Sequence, residues 1–405
     1  MTQRRRVVVT GAGSVNPLGL DVRSTLEAFA NGACAIGPLD LPDIDRLRVR
    51  IGATAKSFDP NLHFSEVDQA RFDCATQFAL VACREAVAQS ELMHLADLEH
   101  RAGVILGTAG GGHGTVDESY RAVYAEGRTR VHPMVVPKLM HNAAAAQISI
   151  ELKTFGPCYT VSTACASSSH AMGHAFRSIR HGFCDVIITG GADAMVTFGG
   201  IKAWEGLRVL SEDGCRPFDA SRNGMVLGEG AGIFVFEDLE HALARGATIL
   251  FEVLGFSESS DAHNVVVPSQ KGAVNALRLA LDDAGLQASN IGYVNAHGTG
   301  TRINDTTESA AMFEVFGDAP QAPVVSSTKS MHGHLMGASG AVEFLACLSA
   351  LRESVIPPTL GYETADAACP MDYVPNSPRK LDVDFALSSS FAFGGMNAVM
   401  VLGRA

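Results

Sequence analysis

Three side chains in this sequence have the types and surroundings that covalent catalysis needs. Cys165 lies among small residues in the run 161–169, His297 begins a His-Gly-Thr-Gly-Thr run, and His334 ends a Lys-Ser-Met-His-Gly-His run. A thiolate forms a thioester with an incoming acyl group, and imidazole N–H groups donate hydrogen bonds to the oxygen of a developing enolate. One cysteine with two histidines therefore predicts a covalent step and the stabilisation of an anion.

The residues around Cys165 predict a strand that gives way to a helix. Residues 159–161 are β-branched or aromatic, which suits a strand, and residues 171–179 place apolar side chains at helical spacing. Cys165 is therefore expected in the first turn of a buried helix, where unpaired N–H groups and the helix dipole lower the pKa of a thiol. The alternative is a buried structural cysteine, because free cysteines are often buried.

A fourth motif completes the set of residues with chemical potential. Residues 390–397 read Ser-Phe-Ala-Phe-Gly-Gly-Met-Asn, and backbone N–H groups in such a turn can stabilise a tetrahedral oxyanion. Each motif follows a predicted strand, and sites in open α/β sheets gather beyond the carboxyl ends of strands. The four turns are therefore expected to converge. A lone histidine is more often a core or surface residue, so the two histidines carry weight only in this combination.

The elements that must position these residues predict an α/β protein. The chain has 405 residues, 47% of them hydrophobic, and 41 glycines that suit many tight turns. Strands alternate with helices throughout, which indicates mostly parallel sheets. Residues 7–10 predict a buried strand that ends in a tight turn at residues 11–13. Strand–glycine and strand–helix units occur in both parts of the chain, so two pseudo-repeated halves are expected, residues 1–255 and 256–405.

Charge and cysteine content exclude several classes of protein. A net charge of −12 argues against nonspecific nucleic-acid binding. Nine cysteines without CxxC pairs argue against a disulfide framework and for a reducing cytosol. No signal peptide or transmembrane helix is expected, because the apolar runs are too short. His170 and His174 are four residues apart and could ligate a metal together, but they lack the third ligand that a metal site needs. A soluble cytoplasmic protein without a metal is predicted.

Several long motifs in a fixed order make the chain similar to a known family. They are Thr163-Ala164-Cys165, Arg-Pro-Phe-Asp at 216–219, Val-Leu-Gly-Glu-Gly-Ala-Gly at 226–232, both histidine runs and the motif at 390–397. Over essentially its whole length the chain resembles a β-ketoacyl-[acyl-carrier-protein] synthase of the elongating, FabF-like type. The resemblance implies a thiolase-like fold with a layered α-β-α-β-α core.

The resemblance also implies a reaction and partners. An acyl chain held on Cys165 would undergo decarboxylative Claisen condensation with malonyl-acyl carrier protein, giving 3-oxoacyl-acyl carrier protein and CO2. Acyl carrier protein is the expected partner, a homodimer is the expected assembly, and neither a redox cofactor nor a catalytic metal is implied. The substrates would be carried on the phosphopantetheine of the carrier protein.

Roles follow residue by residue from the same resemblance. His297 and His334 would assist malonyl decarboxylation and stabilise the enolate, and Lys329 would orient His334 with help from Glu343. The backbone N–H groups of Cys165 and Phe393 would form the oxyanion hole. Phe393, beside Phe391, would form a gate, and Thr299 and Thr301 would contact the pantetheine arm. Asp305 and Glu308 would be acidic supports behind the second histidine, which is His334. The arginines that would dock the carrier protein are Arg128, Arg130 and Arg208.

Some positions depart from the usual pattern. His332 stands where the family usually has Thr, and Met396 replaces a common Thr. At Met396 and at residues 202–205 and 303–305, the sequence is more similar to nodulation-type or other specialised members of the family than to the housekeeping elongase. Gly110 stands where that enzyme has a bulky apolar residue at the acyl pocket, which predicts longer or unusual acyl chains.

Related activities are separated by single residues. A degradative thiolase needs a second cysteine in its C-terminal glycine-rich loop, and residues 392–396 contain none. An initiating synthase of the Cys-His-Asn type has Asn where His334 stands. The alternative that remains is a non-catalytic chain-length partner subunit of a heterodimeric polyketide-type synthase, which should lack the nucleophile at Cys165.

Overall fold

The strands of the described residues form one large sheet and two small ones. In the computed structural model, which describes residues 4–92, 94–317 and 322–405, the small sheets pair β2 with β3 and β11 with β12. The strands are β1 (Val7–Val15), β2 (Gly37–Pro38), β3 (Ile51–Gly52), β4 (Ala102–Gly107), β5 (Cys158–Val161), β6 (Val186–Asp193), β7 (Gly230–Asp238), β8 (Phe251–Ser260), β9 (Tyr293–Asn295), β10 (Val324–Ser326), β11 (Val355–Ile356), β12 (Arg379–Lys380), β13 (Phe385–Ala392) and β14 (Met396–Gly403).

The helices alternate with these strands along the chain. They are α1 (Val22–Asn31), α2 (Glu66–Arg71), α3 (Cys74–Ser90), α4 (His113–Tyr120), α5 (Val135–Leu139), α6 (Ala143–Leu152), α7 (Ser167–Arg180), α8 (Phe198–Leu207), α9 (Leu239–Ala244), α10 (Gln270–Ala284), α11 (Arg302–Phe316), α12 (Lys329–His332) and α13 (Ser339–Glu353). Short 3-10 or π segments occupy Ile44–Arg46, Pro60–Leu62, Leu95–Arg101, Arg121–Ala125, Ala288–Asn290 and Met336–Ala338.

The large sheet shows an internal duplication. Its strand order is β10-β9-β13-β14-β8-β1-β7-β6-β4-β5. The first-half strands β1, β4, β5, β6 and β7 and the second-half strands β8, β9, β10, β13 and β14 follow the same order, third-second-fourth-fifth-first. Antiparallel pairing of β1 with β8 joins the two sets. The expected pseudo-repeat is confirmed. The division at residue 255 stays a prediction, and this residue lies inside β8.

The expectation of mostly parallel sheets is wrong. Among the described strands of the large sheet, four neighbouring pairs are parallel, and five are antiparallel. The antiparallel pairs involve the first or the fifth strand of each half. In the second half the fifth strand follows the fourth through a short turn, β13 to β14, and such a connection can join only antiparallel strands.

The layers follow from which helices touch which strands. Helices α7 and α13 contact each other and strands of both halves, so they form the central layer. Helices α3 and α6 cover the outer face of the first half, and α10, with α11 packed on it, covers that of the second half. Every residue of β1, β6 and β7 is buried, as expected for strands covered on both faces. The α-β-α-β-α order is confirmed.

The glycines of β1 allow a helix to pack unusually close. The strand does not end at residue 10 as predicted but continues through Gly11 and Gly13 to Val15. A Cβ atom at Gly11 or Gly13 would collide with the carbonyl oxygens of Ala86 and Ala82 on α3. The two glycines therefore serve helix–sheet contact rather than a turn. No helix of the described ranges is long and apolar enough to cross a membrane.

Candidate active site

Four turns at the ends of strands meet in one cavity of about 380 Å³. Cys165 follows β5, His297 follows β9, His334 follows β10 and α12, and Phe393 follows β13. All four side chains line the cavity. Its volume is typical of small-molecule sites. The convergence predicted from the positions of the four motifs is therefore found in the structure.

Cys165 lies just before the central helix, not in its first turn as expected. Helix α7 begins at Ser167, with Ala166 at the N-cap position. The N–H groups of Ala166 and Ser167 donate to the carbonyls of Thr163 and Ala164 at 3.1 and 3.2 Å, so they are not free to stabilise a thiolate. Burial raises the pKa of the Cys165 thiol to about 12, with a neighbouring ammonium only partly opposing it. The expected low pKa is therefore wrong, and the resting side chain of Cys165 is a thiol.

The two histidines face the cysteine as a pair of neutral imidazoles. One ligand atom each of Cys165, His297 and His334 lies within 4.8 Å of the other two. The imidazole rings are 5.5 Å apart between centroids and nearly perpendicular, at 88°. Burial, and the charge of Lys329, lower the pKa of both histidines well below the ordinary value. Both rings are therefore uncharged hydrogen-bonding groups at neutral pH.

His334 is held in one tautomer. Its Nδ1 accepts hydrogen bonds from the Met336 N–H at 3.0 Å and from the Ser339 hydroxyl at 2.9 Å, so Nε2 carries the proton. Its backbone N–H donates to Val226 O at 2.7 Å, and its carbonyl accepts from the Gly228 N–H at 2.8 Å. The glycine-rich motif at 226–232 thus fixes the main chain of His334.

Asp193 supports the same turn and was not found from the sequence. This fully buried carboxylate, at the end of β6, accepts from Thr108 Oγ1 at 2.6 Å, from two backbone N–H groups of the same loop, and from the Gly337 N–H at 2.7 Å. It therefore ties the loop after β4 to the turn whose Met336 N–H fixes His334. A lone aspartate after a strand gave no sequence signal.

Lys329 contacts the first histidine rather than the second. Its Nζ donates to the His297 carbonyl at 2.6 Å, lies 3.3 Å from His297 Nδ1, and forms an ion pair with Glu343. No hydrogen bond joins Lys329 to His334 in the described part of the chain. The implied role of orienting His334 is corrected, because Nζ extends from the start of α12 toward the turn after β9. A donating ammonium at Nδ1 leaves the proton of His297 on Nε2.

The Lys329–Glu343 pair should matter strongly for stability. Both side chains are completely buried, and Lys329→Met would leave the Glu343 carboxylate without a cation. We expect a loss of about 3–5 kcal/mol in the free energy of unfolding, measured by chemical denaturation, and partial recovery in Lys329→Met/Glu343→Leu. Arg84→Met, which breaks an exposed pair with Glu151, should cost less than about 1 kcal/mol. Equal losses in the two single variants would contradict this.

The acidic supports lie behind His297, not behind His334 as the resemblance implied. Glu308 accepts from the N–H groups of His297 and Gly298, both at 2.7 Å. Asp305 accepts from the N–H groups of Thr299 at 3.0 Å and the next residue at 3.1 Å. Helix α11 thus presents two carboxylates one turn apart that satisfy four N–H groups of the turn carrying His297.

The other cavity residues divide into those expected and those missed. Thr299 and Thr301, whose hydroxyls are 2.8 Å apart, and Phe391 line the cavity as expected. Arg208 lies at its exposed rim, whereas Arg128 and Arg130 lie in an exposed loop that does not line it. Gly110 does not line it either, and a Cβ atom at this position would meet the side chain of Met195. Lining residues not found as site residues from the sequence include Trp204, Met225, Arg302 and Asn304.

Two backbone N–H groups are free to form an oxyanion hole. Those of Cys165 and Phe393 donate no hydrogen bond to any described residue, although both lie beside the cavity. Phe393 precedes Gly394 and Gly395, whose φ angles of 84° and 67° favour glycine. This turn reverses the chain between β13 and β14.

The same three reactive groups also have the spacing of a metal site. Both imidazoles have Nδ1 engaged, which leaves Nε2 as the remaining nitrogen of each ring. The raised pKa of the thiol opposes the thiolate that metal binding requires. The expectation that no metal is needed stays a prediction.

Comparison with known proteins agrees with this geometry. The profile for the "Beta-ketoacyl synthase, N-terminal domain" matches residues 4–242, and that for the "Beta-ketoacyl synthase, C-terminal domain" matches residues 250–363. Nodulation protein E of Rhizobium sp. (strain N33) is 44% identical over 396 residues, 98% of each chain. The 3-oxoacyl-[acyl-carrier-protein] synthase 2 of Staphylococcus aureus (strain COL) is 39% identical and covers 100% of this chain and 99% of its own.

A solved structure extends the likeness to the fold. The ishigamide ketosynthase/chain length factor superposes with a TM-score of 0.95 at 37% identity, covering 99% of this chain and 100% of that chain. The order of strands, the converging cysteine and histidines, and these full-length matches lead to one conclusion. The chain belongs to the β-ketoacyl synthase family and has its thiolase-like fold.

Proposed function

We propose that this chain is a 3-oxoacyl-[acyl-carrier-protein] synthase, an acyltransferase that performs decarboxylative Claisen condensation. The observation that carries the proposal is the group of Cys165, His297 and His334, buried together within 4.8 Å at the wall of one cavity. The 3-oxoacyl-[acyl-carrier-protein] synthase 2 relative, similar over its whole length, supports it.

Acyl loading uses the thiol and the free N–H groups. The sulfur of Cys165 attacks the thioester carbonyl of the acyl carrier, and the N–H groups of Cys165 and Phe393 stabilise the resulting oxyanion. The bond to the pantetheine sulfur then breaks, the thiol proton ends on the departing sulfur, and Cys165 holds the acyl chain. Because the pKa of the thiol is raised, proton removal must accompany the attack.

Condensation uses the two imidazoles. With Nε2–H on both rings, His297 and His334 donate to the thioester oxygen of the malonyl group. Loss of CO2 then leaves an enolate whose negative oxygen these donors stabilise. The enolate carbon attacks the acyl group on Cys165, a carbon–carbon bond forms, and the carbon–sulfur bond breaks. The product is a 3-oxoacyl thioester on the carrier, and the departing Cys165 thiolate takes up a proton from water.

The non-catalytic chain-length subunit is the second candidate. It draws on the structural likeness to a ketosynthase/chain length factor, but a nucleophile and two positioned histidines favour the catalytic reading. We propose a cytoplasmic homodimer joined through β5, one of the two edge strands that the described residues give the large sheet. Tyr159 on this strand and the neighbouring Phe155 expose 41% and 69% of their surface, and an uncovered apolar edge favours pairing.

Mass spectrometry of the intact protein tests the proposal. After incubation with acyl-acyl carrier protein and a chelator, Cys165 should gain one acyl group, and subsequent malonyl-acyl carrier protein should remove it as 3-oxoacyl product. Assay over an acyl-chain series then gives the preferred length. No acyl mass on Cys165 would favour the non-catalytic candidate, and loss of acylation with chelator would contradict the absence of a metal.

Neutral imidazoles make a pH prediction. A histidine with a lowered pKa stays uncharged as the pH falls through about 6.5, the ordinary pKa of a histidine. The rate of malonyl decarboxylation without an acyl primer should therefore show no break from either histidine between about pH 6 and 8, where an ordinary histidine titrates. The group behind His297 that titrates in this range is Glu308, because burial raises the pKa of its carboxyl to about 7. A pH–rate profile measures this. An acid-side break near pH 6.5 that disappears in His297→Gln would show that a histidine is charged there.

Charge reversal at the cavity rim tests carrier docking. Arg208→Glu should weaken binding of the acidic carrier protein roughly fivefold, more at low salt because exposed charges are screened. Arg23→Glu is the matched control, since Arg23 is exposed on α1. Titration at two ionic strengths gives both affinities. Equal affinities for the two variants would remove Arg208 from the docking face, and Arg130→Glu tests a second of the predicted docking arginines.

A further inference from the structure

The protein has one tryptophan, and it lies in the wall of the reaction cavity. Trp204, on α8, is half-buried and lines the cavity with Cys165 and Phe393. Its indole stacks on the Phe393 ring, with centroids 5.9 Å apart and planes inclined by 29°. The ring that accompanies one proposed oxyanion-hole N–H therefore rests on Trp204.

Helix α8 is a rigid support for this indole. It begins at the Thr197 cap, whose hydroxyl accepts from the Gly200 N–H at 3.0 Å. Glu205, beside the tryptophan, accepts from the N–H groups of Arg48 and Val49 at 2.6 and 2.9 Å. The side chain of Glu205 is only 10% exposed. The helix is thus fixed at both ends, by its own cap and by a separate loop.

Phe393 has much less support of its own. Its backbone N–H has no partner among the described residues, and the two residues after it are glycines with positive φ. The turn is otherwise tied down by Gly394 N–H to Val265 O at 2.8 Å and by Asp261 N–H to Gly395 O at 2.9 Å, and Gly395 N–H to Ala392 O at 3.1 Å closes the backbone around Phe393. These bonds fix the main chain of the turn, and none of them holds the Phe393 ring. Among the aromatic pairs of the described chain, the Phe393 ring takes part only in the stack on Trp204.

We infer that Trp204 is a positioning and specificity-determining residue that holds Phe393 over Cys165 and limits the bulk of the acyl group the thiol accepts. The inference rests on the proposed function. An acyl group on Cys165 must lie in the cavity whose wall the two aromatic rings form. The stack therefore acts twice, by fixing the Phe393 N–H toward the thioester and by closing space beside it.

The sole tryptophan is also its own reporter. Acylation of Cys165 with an octanoyl thioester of N-acetylcysteamine should shift the tryptophan emission, because the acyl chain enters the cavity beside the indole. Cys165→Ala, which cannot be acylated, should show no shift with the same probe. Unchanged emission in a wild-type sample shown by mass spectrometry to be fully acylated would overturn the inference. Absence of any acyl mass would overturn the proposed function together with it.

Substitution separates the two effects. In Trp204→Leu, the preference for linear over branched acyl thioesters should fall by about 3- to 10-fold, as expected for loss of one aromatic pair. The reduced preference should appear as a lower kcat for the linear substrate and as a lower KM for the branched substrate. Trp204→Phe keeps a ring and should restore most of the preference. Phe198→Leu, on the same helix but outside the cavity, is the matched control and should change neither value.

The decisive outcome is the comparison of these variants. An acyl preference in Trp204→Leu equal to that of the wild type and of Phe198→Leu would overturn the inference while leaving acyl transfer to Cys165 intact. Equal effects of Trp204→Phe and Trp204→Leu would also overturn it, because the aromatic stack would then have no role. Circular dichroism and the free energy of unfolding should show that all variants are folded.

Discussion

Cys165→Ala is expected to lose acyl transfer by at least about 10⁴-fold yet to keep malonyl decarboxylation. Among the described residues that line the cavity, Cys165 is the only one with a thiol, so without it no thioester forms. The two imidazoles that stabilise the enolate do not depend on this sulfur. Each is fixed by its own contacts, His334 through Met336 and Ser339 and His297 through Lys329. Acyl mass on the protein and CO2 release from malonyl-acyl carrier protein measure the two activities separately.

A second cysteine variant controls for the loss of a buried sulfur. Cys347→Ala removes another fully buried thiol, on α13 and outside the cavity, and should keep both activities. If Cys165→Ala also lost decarboxylation while remaining folded, the separation of the two steps would be wrong. If it kept acyl transfer, the nucleophile would have to be another group.

The sequence located the reactive residues because their signals are local. Cys165, His297, His334 and the turn at Phe393 each follow a strand, and sites of this class form where strands end. The duplication could be expected from repeated strand–glycine and strand–helix units. The location of the site and the duplication could both be inferred without knowing the direction of each strand. Strand direction depends on the connections between strands. The antiparallel pairs of each half were missed for that reason.

What the sequence could not supply are contacts that depend on side-chain reach across the fold. Lys329 lies five residues before His334, yet its ammonium reaches His297. Asp193 and Trp204 lie in the first half of the chain, whereas both histidines lie in the second half. Neither residue belongs to a sequence motif that would mark it as part of the site. The pKa of Cys165 depends on burial and on which N–H groups are already bonded, and neither quantity is visible in a motif.

His334→Ala is expected to show the opposite pattern from Cys165→Ala. Removing one of two donors to a developing oxyanion costs about 10²- to 10³-fold, so CO2 release should fall by that factor. Acylation of Cys165 should persist, because the oxyanion of that step is stabilised by the backbone N–H groups of Cys165 and Phe393. His334→Gln, which retains a donor, should recover part of the rate. Mass spectrometry and CO2 release again separate the steps.

The neighbouring histidine shows whether the effect belongs to the cavity. His332 is equally buried, but its nitrogens lie 2.8 Å from Gly333 O and 2.9 Å from Thr328 Oγ1, and burial lowers its pKa to about 3. His332→Thr should therefore lower stability while each folded molecule keeps its rate of CO2 release. A comparable loss of rate in both variants would mean that the packing of this segment, and not the Nε2–H of His334, supports decarboxylation. A loss confined to His334→Ala, with Cys165 still acylated, assigns to this imidazole the stabilisation of the enolate.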